Sequence, residues 1–163
     1  MAIGIVVGQP LWVKLARTHS SARVMALAAA VQIGGLATFW LAGGTMPAVS
    51  AIAAVVFGLG NGGVGTVQWH AFSDVVAREV PRQAGLAYGI YAAVGKLGLA
   101  AGATIIAVAL ESGEYRDPAN PLVMNLMTLL PACGALALML VAAAMIGRTR
   151  ITADAKVKYR ARR

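Results

Sequence analysis

Charge is what this sequence lacks most: Asp, Glu, Lys and Arg together make up 12% of its 163 residues. A water-facing domain carries about 25%, so most of this surface faces something other than water. Acidic residues number only six, at Asp74, Glu79, Glu111, Glu114, Asp117 and Asp154. Each lies in a loop, at a helix end or in the tail, so no carboxylate is available at depth in an apolar run. The one cysteine, Cys133, leaves no partner for an intrachain disulfide, and cysteine usage says nothing of the redox compartment. There is no Ser/His/Asp set, no H-E-x-x-H and no Walker loop. His70 has no second ligand at helical spacing, so no metal site is expected. A membrane-embedded enzyme needs a convergent polar constellation, and none is legible; neither catalysis nor a cofactor is expected.

What the sequence has instead is apolar length. Hydrophobic residues make up 59% of it and its mean hydropathy is +0.73. A membrane-crossing helix needs about 20 mostly apolar residues. Four stretches qualify, at about 24–42, 47–72, 84–110 and 121–146. Before them, residues 1–13 are apolar but too short to cross, and read as the last part of a helix. Basic residues follow this segment rather than precede it, the reverse of a signal peptide. The expected organisation is a helical bundle over 1–147, all-α and polytopic, with a basic tail over 148–163. The connections fit: a basic link at 14–23, a Gly-Gly-Thr-Met-Pro turn at 43–47, a mixed-charge link at 73–83 and an acidic one at 111–120.

The net charge of +8 is explained by sidedness. Links 14–23 and 73–83 and the tail hold twelve Lys and Arg, whereas 43–47 and 111–120 on the opposite side hold Arg116 only. Cytoplasmic loops carry the Lys/Arg excess. The expectation is a multi-pass protein of the cytoplasmic (inner) membrane, C-terminus cytoplasmic, with the lipid bilayer as its first partner and no role in nucleic-acid binding. The tail also suits anionic lipid.

Lys96 is the most informative residue, twelve positions after Ala84 and fourteen before Leu110. A charge at that depth costs at least about 2.5 kcal/mol and normally faces a water-filled cavity or a partner. It either lines such a cavity or is paired to a backbone carbonyl or a neighbouring helix. Tyr91 and Tyr88 lie about 140° and 80° from it around the helix, as cavity-wall candidates or as interfacial aromatics. Around them Gly85, Gly89, Gly95, Gly98 and Gly102 would let other helices approach closely. Gln68 and Trp69 combine an amide with an aromatic face, a pairing suited to sugars, although a Trp at a membrane boundary also serves as an anchor. The string Gly58-Leu59-Gly60-Asn61-Gly62-Gly63 fits G-x-G-x-x-G, but it lies inside an apolar span rather than in a strand–turn–helix unit. Its glycines would allow a bend or close packing, and Asn61 would hydrogen-bond a neighbouring helix or a substrate.

Three stretches carry a resemblance. Pro10-Leu11-Trp12-Val13-Lys14-Leu15-Ala16-Arg17 is similar to the loop after helix eight of sugar–cation symporters of the melibiose permease type. These are the glycoside–pentoside–hexuronide group of the major facilitator superfamily. Ala71-Phe72-Ser73-Asp74-Val75-Val76 resembles the Asp-containing end of their helix ten. Arg82-Gln83-Ala84-Gly85-Leu86-Ala87-Tyr88-Gly89-Ile90-Tyr91, running on to Lys96-Leu97-Gly98, resembles their helix eleven. The chain departs from that group in a shorter link after Asp74 and in Ala84, where a Glu is usual.

The resemblance implies a partial C-terminal half of a major-facilitator fold, four full spans plus part of a fifth. It implies a sugar substrate, alternating access, and a coupling cation such as sodium or a proton. Lys96, with Tyr91 a turn earlier, would stand near the sugar and cation site, and Asp74 and Arg82 at the cytoplasmic gate. The partner would then be a missing N-terminal transporter half. Two other readings stand beside it: a small membrane interaction protein derived from a transporter half, and a drug or organic-anion exporter of the same superfamily with Lys96 as counter-charge.

Overall fold

The computed structural model describes residues 1–42, 46–111 and 122–160, with side chains for these except Ala42, Val123 and those from 146 onward. The turn expected at 43–47 falls largely outside the described residues, as do nearly all of the acidic link at 111–120 and the side chains of the tail. Every long element described is an α-helix: α1 (Ala2–Thr18), α2 (Ser21–Ala42), α3 (Pro47–Glu79), α4 (Ala84–Glu111) and α5 (Leu122–Arg160). Four helices, α2 to α5, are long and apolar enough to cross a membrane.

The helices run further than the apolar stretches because their polar ends are still good helix formers. In α1 the helix continues through Lys14, Leu15, Ala16 and Arg17, so the motif that resembles an inter-helix loop is helical here. It stops at His19, whose extended backbone (φ −128°, ψ 162°) breaks the hydrogen-bond ladder; Arg23 and Val24 then donate to Ser20 to begin α2. Pro47 opens α3, where a missing N–H costs nothing. At the far end Val80 leaves helical geometry, as the residue before a proline tends to do. One 3₁₀ turn, Pro81–Gln83, then leads into α4. Over 148–160 the basic tail continues α5.

α3 is the axis of the packing, held between α1 on one side and α2 on the other, with α5 against α2. Small residues make this possible. A methyl group at Gly60 would overlap the backbone nitrogen of Gln32, one at Gly35 would sit 2.5 Å from the nitrogen of Phe57, and one at Gly4 would overlap the carbonyl of Val55. Between membrane helices apolar surface gives little drive to associate, because lipid is equally apolar; close van der Waals contact supplies it instead. The glycine string of α3 thus acts by close packing: Gly58 and Gly62 face α1, Gly60 faces α2, and Gly63 faces both. Trp12 fills the wedge between α1, α2 and α3 at 2% exposure, and its indole Nε1 donates to the Leu59 carbonyl at 2.8 Å. Val24, Met25, Ala28, Ala29, Val64, Val67 and Ala142 complete that core.

α4 is different. None of its residues is buried. It meets the bundle near its two ends, and its glycines at 85, 89, 95, 98 and 102 have no neighbouring helix within 4 Å among the described residues.

Candidate functional site

Two features meet at Trp69. The first is a hollow of about 410 Å³ between α1 and α3, lined by Ile5, Gln9, Asn61, Gly62, Gly65, Thr66 and Trp69. Its α3 residues recur at i, i+1, i+4, i+5 and i+8, which places them on one helical face. Gly62 and Gly65 keep the floor low. Gln9 and Asn61 contribute amides, and Thr66 a hydroxyl that donates to the Gly62 carbonyl at 2.8 Å while its lone pairs can still accept. No lining residue ionises. The groups present can therefore donate to and accept from an uncharged ligand, and the Trp69 ring offers an apolar face beside them.

The second feature is an aromatic clamp joining α3 to α4. Tyr91 stacks on Phe72 with ring centroids 4.4 Å apart and an interplanar angle of 25°. Tyr88 meets Phe72 edge-on at 5.4 Å, and Trp69 lies 5.5 Å from both tyrosines. Such offset and edge-on pairs contribute about 0.5–1.5 kcal/mol each beyond their area. At its other end, α4 lends Ile106 and Leu110 to a hollow of about 530 Å³ shared with Met1, Phe57, Leu126, Met127, Leu130 and Pro131. At about 100° per residue, Tyr88, Tyr91, Ile106 and Leu110 fall within an arc of about 100°. Gly95 and Gly102 lie inside that arc between the two contacts, so the middle of α4 leaves a slot.

Lys96 lies about 40° outside this arc. It is exposed and has no hydrogen bond or ion pair among the described residues. The structure brings together Asn61, Trp69, Tyr88 and Tyr91 of the residues singled out in the sequence. Gln68 is exposed and does not line the hollow. Asp74 is held by Arg78, whose Nε lies 3.2 Å from its Oδ1 with a second, shorter contact from the other guanidinium nitrogen. Arg82, in the 3₁₀ turn, is exposed and has no such partner among the described residues. Groups of three or more His, Cys, Asp or Glu that could hold a metal are absent among the described residues.

Sequence reasoning missed Gln9, Thr66 and Phe72. A signal existed for the first, since Gln9 is the one polar side chain between Met1 and Val13. Thr66 shares a helical face with Asn61 and Trp69, which a wheel through the glycine string would have exposed.

No curated protein and no solved structure matches the chain. Residues 1–153 match the family described as MFS/sugar transport protein. Taken with the all-helical, membrane-crossing fold, that match over nearly the whole sequence places this chain in the major facilitator superfamily, in its sugar transport protein family.

Proposed function

We propose that this chain forms part of a sugar:cation symporter of the melibiose permease type, working by alternating access in the cytoplasmic membrane with its C-terminus in the cytoplasm. The observation that carries the reading is the α1–α3 hollow, where two amides, a hydroxyl and an indole face converge without any ionisable group. Sugars present hydroxyls around an apolar ring face, and this lining answers both. Asn61, Gln9 and Thr66 would bond the hydroxyls and Trp69 would stack on the ring. Tyr88 and Tyr91 hold the Trp69 ring from the α4 side, so movement of α4 would reach the sugar through that ring. Gln68, beside Trp69, would serve a sugar only after the helix turns.

Lys96 would stand at the edge of the slot as the charge that senses the coupling cation, sodium or proton. Asp74 and Arg82 would flank the cytoplasmic exit, with Arg78 holding Asp74 in the state described here. The bare faces of α4 would be covered by the N-terminal half of a complete transporter, with the substrate between the halves.

The test is uptake of radiolabelled galactosides into cells carrying the complete assembly, with and without a sodium or proton gradient. Lys96→Ala is expected to reduce gradient-driven uptake to the level of cells lacking the protein while helix content is kept. Unchanged uptake would overturn the role given to Lys96. Lys96, which has no ion pair among the described residues, also suits a second reading, an organic-anion exporter; transport that follows a carboxylate rather than a sugar would select it. If neither substrate moves and a partner protein is retained by wild type and Lys96→Ala alike, the exposed faces of α4 serve a membrane interaction protein.

A further inference from the structure

Where α5 packs on α2, a shallow hollow of about 290 Å³ has Ile33, Ala37, Trp40, Leu129 and Ala132 among its walls. Its one hydroxyl, on Thr128, is only 3% exposed and donates to the Met124 carbonyl at 2.7 Å, so the surface it offers is apolar. Positions seven residues apart share a helical face. From Leu129 such steps lead along α5 to Leu136, Ala143 and Arg150, and from Ala37 along α2 to Ala30 and Arg23. Leu136, Ala143, Ala30 and Arg23 are all exposed. The two helices are antiparallel, since Ile33 meets Leu129 at the hollow while Val24 shares a core cluster with Ala142. Both series therefore run to the same end of the bundle and finish on an arginine. The Arg23 guanidinium has no hydrogen bond or ion pair among the described residues. Asp154 is the only acidic residue in the sequences of α1, α2 and α5, and it lies a turn farther along the tail than Arg150.

The groove is thus apolar at one end and cationic at the other, on two helices long and apolar enough to cross a membrane. Its length narrows the ligand. Ile33 lies ten residues from Arg23, about 15 Å at 1.5 Å per residue. One leaflet of a bilayer's hydrocarbon core is also about 15 Å deep, half of the whole. A phospholipid whose phosphate meets Arg23 therefore ends its chain at the hollow. Guanidinium groups suit phosphate, because they present two parallel N–H donors to its oxygens. A second cation in the headgroup, as in phosphatidylcholine, would stand beside two arginines with no carboxylate along the groove to answer it. A water-soluble phosphate would leave the apolar length unused. We propose that the α2–α5 groove binds one anionic phospholipid, its phosphate on Arg23 and Arg150 and one chain laid over Ala30 and Leu136 to the hollow at Ile33. Unlike a general attraction of a basic tail to an anionic surface, such a site has a fixed place and depth. The inference stands independently of the transport reading, because it concerns binding only.

The test uses the full chain in phosphatidylcholine vesicles with a trace of one of two probes, phosphatidylglycerol or phosphatidylcholine, each bearing a diazirine near the end of one chain. Adducts are mapped by mass spectrometry. The phosphatidylglycerol probe is expected to label the walls of the hollow about 25-fold more than the phosphatidylcholine probe, about fivefold for each arginine. Unlabelled phosphatidylglycerol should compete for that label, and inorganic phosphate should not. Arg23→Gln and Arg150→Gln should each lower the ratio about fivefold. Arg23→Lys, which keeps the charge, should preserve it, and so should Lys14→Gln, an exposed residue of α1 at the same end of the bundle. Equal labelling by the two probes would overturn the proposal, as would a ratio that survives Arg23→Gln. Three other results would overturn it too. An equal drop in Lys14→Gln would make surface charge the cause rather than this groove. Loss in Arg23→Lys would point to a packing fault, and competition by phosphate would make the occupant a soluble anion.

Discussion

Helices α3 and α4 are written in nearly the same language, both apolar and both rich in glycine, and they use it differently. In α3, glycines at 58, 60, 62 and 63 are pressed against Met1, Gln32, Ile5 and Trp12, so each missing side chain is the space a neighbour occupies. In α4, glycines at 85, 89, 95, 98 and 102 meet nothing within 4 Å among the described residues. The same residue thus closes one interface and leaves the other open. What decides between them is the surroundings: α3 has α1 and α2 to pack on, whereas α4, among the described residues, meets the bundle chiefly through its aromatic clamp and its far end.

The largest effect should come from filling the closed side. Gly60→Leu would drive a side chain into the backbone of α2 and is expected to cost about 3 kcal/mol or more, read as lost resistance to denaturant in detergent micelles. Gly98→Leu on α4 should stay within about 0.5 kcal/mol. Equal penalties at both positions would erase the contrast. Trp12→Ala tests the same packed side by removal, and a loss of about 3–5 kcal/mol is expected from the cavity and the lost Leu59 hydrogen bond.

The clamp is the next step down. A double-mutant cycle with Phe72→Leu and Tyr91→Leu should return a coupling of about 0.5–1.5 kcal/mol. A coupling near zero would mean that α4 is not held there. Smallest of all is the Asp74–Arg78 pair, four residues apart on an exposed helix end. Asp74→Asn should change stability by less than about 0.5 kcal/mol, and the change should vanish in high salt.

The helices were legible because apolar length is a direct physical requirement for crossing a bilayer, and four of the described helices are long and apolar enough to cross one. Their ends were not, since Lys14–Arg17 and the basic tail are good helix formers once a helix has begun. In the site, Asn61, Trp69, Tyr88 and Tyr91 could be named from residue type, but their meeting depends on how α4 leans on α3, which no local pattern encodes. Gln32 shows the limit most clearly. An amide in an apolar run looks like any other until the packing buries it and leaves its oxygen without a hydrogen bond among the described residues.

The clamp also makes α4 a lever. Its fulcrum is the Phe72–Tyr91 stack, and from Tyr91 to Leu110 the helix extends about 28 Å at 1.5 Å per residue. By that geometry a tilt of about 5° at the stacked rings carries the far end through about 2.5 Å, enough to open or shut the space around Ile106 and Leu110. The stiff glycine-packed core gives such a lever a fixed base to turn against. A small change in ring stacking at one end of α4 would by that geometry be magnified at the other.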